Sequence, residues 1–129
     1  MKKLTILFSA ILLFLAMIGF GLYGFSKIIY NSCDCERFTI DNIELRTGIN
    51  IPSIKKTDCF YNEKTKTKNI TFVLDTENID FEDYIKKNDF RETKANAILT
   101  KSNNLKNHKY KAILDKKLGV LEIEITYKN

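Results

Sequence analysis

The chain has 129 residues, 44% apolar and 29% charged, with one proline, five glycines, three cysteines, one histidine and no tryptophan. That is enough for one domain and an appendage, which excludes a multidomain enzyme. Pro and Gly are too few for a collagenous chain, and Ile, Leu, Phe and Tyr recur too evenly for a disordered one.

The formal charge of +5 changes once the first thirty residues are set apart, because they hold Lys2, Lys3 and Lys27 and no acid, leaving +2 on the remainder. Binding to phosphate backbones needs a clustered basic face. Here Lys55, Lys56, Lys64, Lys66 and Lys68 alternate with Asp58, Glu63 and Asp75. The pattern reads as a solvated, mixed-charge surface and excludes nucleic acid as a partner.

After Met1-Lys2-Lys3, residues Leu4 to Phe25 carry no charge. As a helix rising ~1.5 Å per residue this run reaches about 33 Å, enough to cross a hydrocarbon core of about 30 Å. A cleaved signal sequence has a shorter apolar region and a small-x-small site, whereas Ser26-Lys27-Ile28-Ile29-Tyr30-Asn31 follows here. The expected organisation is an uncleaved transmembrane anchor over 1–30, in contact with the membrane through 4–25, and an extracytoplasmic domain over 31–129. High Lys, Ile and Asn with few Arg and Pro is the composition of an AT-rich bacterial genome, so the membrane is read as the inner one, crossed once. Lys2 and Lys3 keep the N-terminus cytoplasmic. Gly21 and Gly24 are three apart and do not form the small-xxx-small dimer pattern.

Cys33, Cys35 and Cys59 fit an oxidising compartment. Cys33 and Cys35 are too close to pair with each other, so one of them is expected to bond Cys59. Closing such a ~25-residue loop contributes roughly 3 kcal/mol through the unfolded state. A lipoprotein reading, with Cys33 acylated after cleavage, would leave Cys35 and Cys59 as the pair. The spacing matches no zinc site, and neither metal nor cofactor is expected.

Thr39 is read as capping a short helix from Ile40, with Phe38 and Ile43 as its hydrophobic staple, and Gly48 ends it before Pro52. Asp80 caps a second helix stapled by Ile79 and Tyr84, and Asn88 closes it. The acidic run Asp75, Glu77, Asp80, Glu82 and Asp83 lacks the spacing and glycine of a calcium loop and is read as dipole compensation. Ile70, Phe72 and Leu74 alternate along a strand whose hairpin partner is 54–61. Tyr110, Ala112 and Leu114 pair with Leu121, Ile123, Ile125 and Tyr127 across the Lys117-Leu118-Gly119 turn, with Lys109, Lys111, Glu122 and Glu124 on the wet face. Residues 91–107 fit an edge strand, a short helix or a loop equally well.

The expected fold is α+β: the transmembrane helix, then a four-stranded, mainly antiparallel sheet with two short helices in the order α-β-β-α-β-β. The segment Thr47-Gly48-Ile49-Asn50-Ile51-Pro52 resembles a pattern in small bacterial membrane-anchored and lipoprotein-like proteins of unknown function. That resemblance implies an anchored envelope protein and brings no catalytic residues with it.

No nucleophile elbow, phosphate loop or metalloprotease motif is present. The lone His108, at the start of a strand in polar surroundings, reads as a surface residue. The expected function is therefore not enzymatic: a binding module for another envelope or exported protein, with Phe60, Tyr61, Phe90 and Tyr127 as the candidate interaction surface. The alternative is an envelope structural or small-ligand-carrying protein.

Overall fold

The computed structural model describes residues 2–33, 35, 37, 39–94 and 97–128. A single helix, α1 (Lys2–Asn31), carries the apolar run, and only Ile29 near its end is buried. Within it the 22 residues Leu4 to Phe25 carry no charge and leave their large apolar side chains exposed, and the length and composition of the helix suit a membrane span.

Helix α2 (Thr39–Thr47) ends as the sequence dictates: Gly48 adopts φ +65° and its N–H returns to the Glu44 carbonyl at 2.8 Å. Phe38, one half of the expected staple, lies outside the described residues. Strands β1 (Ile54–Asn62) and β2 (Thr67–Leu74) form the expected hairpin. After a short 3-10 turn, Asp80 caps helix α3 (Phe81–Lys87) by accepting from the Glu82 and Asp83 amides, and Asn88 closes it. Strands β3 (Arg91–Glu92), β4 (Ile98–Asn104), β5 (His108–Asp115) and β6 (Val120–Tyr127) follow.

All pairings are antiparallel, in the order β1-β2-β6-β5-β4-β3. The chain leaves the first hairpin at β2, crosses to the far edge through α3, and meanders back until β6 zips against β2. The sheet therefore has six strands and not the expected four. The two missed strands lie in 91–107, where β4 buries only Leu99 and ends in Lys-Ser-Asn-Asn, and β3 is two exposed residues. A strand near the edge with so little core to cover shows almost no apolar alternation.

The inner face is continuous: Ile70, Phe72 and Leu74 of β2, Ala112 and Leu114 of β5, and Leu121, Ile123 and Ile125 of β6 are all buried. Ile43 of α2, Ile49 beyond it, Tyr84 of α3 and Phe90 close over them. The segment Ile49 to Ile51 is pinned between the helices. Asn88 accepts from the Asn50 N–H at 2.8 Å, the Tyr84 hydroxyl donates to the Asn50 carbonyl at 2.9 Å, and Glu44 accepts from the Ile51 N–H at 2.7 Å. Burial, with Glu44 nearby, raises the Tyr84 pKa well above the ordinary tyrosine value, so the donor stays protonated. The opposite face of the sheet carries Lys111 beside Glu124 and is exposed as expected.

Candidate functional site

Where α1 meets the domain, a buried polar cluster replaces the apolar core. The last turns of a helix leave carbonyls unpaired and carry partial negative charge. Asn42, on α2, donates from Nδ2 to the Ile29 and Tyr30 carbonyls at 2.8 and 3.1 Å. One turn on, Arg46 Nε donates to the same Tyr30 carbonyl at 2.8 Å. Lys68 Nζ, from β2, donates to Asn42 Oδ1 at 3.2 Å and is fully buried.

The Arg46 guanidinium is sandwiched, 4.2 Å from the Tyr30 ring centroid and 4.6 Å from that of Tyr127. Desolvated stacking of this kind is worth up to about 2 kcal/mol per ring. His108, at the start of β5, completes the clamp. Its Nε2 lies 2.8 Å from the Arg46 carbonyl and its Nδ1 lies 3.3 Å from Arg46 Nη1. Both contacts are satisfied only by the neutral tautomer, with Nε2 donating and Nδ1 accepting. Burial lowers the His108 pKa, Arg46 and Lys128 lower it further, and the bond to the Arg46 carbonyl acts the other way.

The connector between α1 and α2 is fastened a second time. Cys35 and Cys59 form a disulfide across 24 residues, tying the connector to β1. Cys33 is free and half-buried, its Sγ directed to the Asn31 carbonyl at 3.5 Å. Tyr61, two residues beyond Cys59 on the same face of β1, has its pKa raised by burial and then by Cys33 and Glu63.

The four aromatic residues expected to share an interaction surface do not share one. Phe60 is 62% exposed on the outer face, whereas Phe90 is 7% exposed and packs against Tyr84 with ring centroids 6.0 Å apart. Phe90 is core because α3 must close over the sheet just before β3. Tyr127 and Tyr61 meet edge to face at 6.1 Å beside Arg46, so they belong to the clamp. His108 is a second correction, since it is 1% exposed and not a surface residue. Lys68 is a third, buried where a solvated lysine was expected.

A signal for both was present in strand parity. Lys68 stands two residues before Ile70, and His108 two before Tyr110, so each extends an inward-facing alternation. Arg46 and Asn42 lie four apart on α2 and face the same way. No protein-family model, no curated protein and no solved structure matches the chain.

Proposed function

We propose that the chain is a membrane-anchored binding module of a bacterial envelope. In this reading α1 spans the inner membrane with Lys2 and Lys3 in the cytoplasm, and the α+β domain stands outside and engages another envelope or exported protein. One observation carries the anchored part. Arg46 and Asn42 hold the Ile29 and Tyr30 carbonyls, so the domain packs on the end of α1, which supports its retention. Cleavage ahead of Cys33 would strip the buried Arg46 and Asn42 side chains of the carbonyls they bind. The disulfide supports an oxidising compartment. Binding is favoured over catalysis because His108 has both ring nitrogens committed to Arg46.

Intact mass of the full chain from its own membranes tests the anchor: a species retaining residues 2–31 is expected. One beginning at Cys33 with acyl chains would establish the lipoprotein alternative instead. The partner is tested by photo-crosslinking in those membranes from single surface positions such as Phe60 and Ser102. A stoichiometric adduct confined to one face supports the module, and adducts at none would return the domain to a spacer role.

A further inference from the structure

The two sheet edges differ. On β1 the edge is blunted by Lys55 and Lys56 and by an irregular register between Ile54 and Lys56. At the other edge β3 pairs with β4 only through Arg91 with Thr100 and Glu92 with Leu99, after which β4 runs on alone to Asn104. The chain is diverted at this point by Asp89, whose φ of +54° turns it off the edge, and Phe90 goes into the core.

The Thr93 N–H donates to the Ile98 carbonyl, which places the even-numbered residues of β4 with their backbone groups toward the edge. The open positions are then Ser102 and Asn104. The Asn104 N–H is taken by Asn103 Oδ1 at 2.8 Å, which leaves Ser102 with both N–H and C=O facing outward. A cleft of about 340 Å³ lies there, walled by Asp89, Arg91, Lys101, Ser102 and Asn103 and reaching Tyr110. Tyr110, 5% exposed, forms the base of the cleft. A polar cleft beside an unpaired strand edge is a place for an extended ligand that supplies backbone donors and acceptors.

We propose that this cleft takes the C-terminal end of an extended polypeptide, added as a strand antiparallel to β4. The proposal rests on the binding-module reading and names its site. Such a strand runs in the same direction as β3, so its end arrives at the first residue of β3. Its penultimate residue exchanges two backbone hydrogen bonds with Ser102, and its terminal carboxylate meets Arg91 and Lys101. Direction and charge thus select a free C-terminus over an internal loop, with Asp89 opposing an additional acidic side chain beside it.

The test is selection of a random heptapeptide library with free C-terminal carboxylates on the full-length chain in detergent micelles. The selected peptides are then titrated as acids and as amides. Affinity is expected to fall at least tenfold on amidation and on Arg91→Gln. Ser102→Pro is expected to do the same without loss of thermal stability, because its N–H takes no part in the β4–β5 ladder. Peptides that bind equally to both variants would overturn this site while leaving a binding module in place. A library that yields no binder would also overturn it, and the crosslinking described above judges the module separately.

Discussion

Arg46 holds Tyr30 twice, through a 2.8 Å hydrogen bond from Nε to its carbonyl and through stacking 4.2 Å above its ring. The two residues belong to different helices, so the bond fixes the direction in which α1 leaves the domain. A helix joined through a flexible linker would let the domain tumble against it. Here the cluster of Asn42, Arg46, Lys68 and His108 makes the last turn of α1 part of the fold, and the Cys35–Cys59 disulfide limits the connector that follows.

Arg46→Ala is expected to destabilise the domain by about 3 kcal/mol, because it removes the stack between Tyr30 and Tyr127, one donor to the Tyr30 carbonyl and the donor to His108 Nδ1. Arg46→Lys keeps the charge and loses the planar stack between Tyr30 and Tyr127, so it recovers only part of that loss. Thermal unfolding of the full chain in micelles, followed by the near-ultraviolet tyrosine signal, reads both. An Arg46→Lys variant as stable as the parent would remove stacking from the account.

The stability of the clamp depends on pH through His108. Its pKa in the fold is lowered by burial and by Arg46 and Lys128, so the fold prefers the neutral ring. The stabilisation is fully present above the unfolded-state value of about 6.5 and is lost as pH falls toward the folded-state value. Below it, a proton on Nδ1 faces a guanidinium. The melting temperature is expected to drop between pH 7.5 and pH 5, with a shallower drop for His108→Gln. Parallel curves for the two proteins would show that other groups carry the acid sensitivity.

Much of the fold was legible in the chain. Gly48 as a helix stop, Asp80 as a cap and both hairpins follow from local chemistry that is complete within a few residues. What was not legible depends on partners far along the chain. Phe90 looks exposed because its flanks are Asp89 and Arg91, and only the return of α3 to the sheet makes it core. Lys68 and His108 carry the right parity but the wrong polarity for core positions. Their acceptors, Asn42 and the Arg46 carbonyl, lie 26 and 62 residues away.

The contrast between two phenylalanines tests that account. Phe90→Ala is expected to cost about 3 to 5 kcal/mol, and Phe60→Ala, on the exposed face, to stay within about 0.5 kcal/mol. Chemical denaturation of both variants measures the difference directly. Equal losses would place Phe60 against something in the folded state.

Alkylation of the unreduced chain is expected to modify Cys33 alone, since Cys35 and Cys59 are bonded to each other. Reduction should then cost roughly 3 kcal/mol through the freed connector, and Cys33→Ala should leave stability unchanged. Peptide mass mapping after alkylation reads the pairing. Label on Cys35 would mean that the bridge to β1 runs through Cys33.

Gly119 and Gly48 share a φ of +65° but not their surroundings. A Cβ at Gly48 meets open space, so Gly48→Ala pays only for the left-handed backbone, about 1 kcal/mol. At Gly119 the same atom collides with Thr76 Cγ2 on the 3-10 turn, while the Gly119 carbonyl accepts from the Leu74 N–H at 2.8 Å and fixes the backbone in place. Gly119→Ala is therefore expected to be the more damaging of the two. Because the collision is with one methyl group, Thr76→Ser in the same chain should restore Gly119→Ala to the level of Gly48→Ala, apart from what Thr76→Ser costs alone. A double-mutant cycle on melting temperature measures that coupling. Strict additivity would show that backbone strain alone sets the cost at the β5–β6 turn.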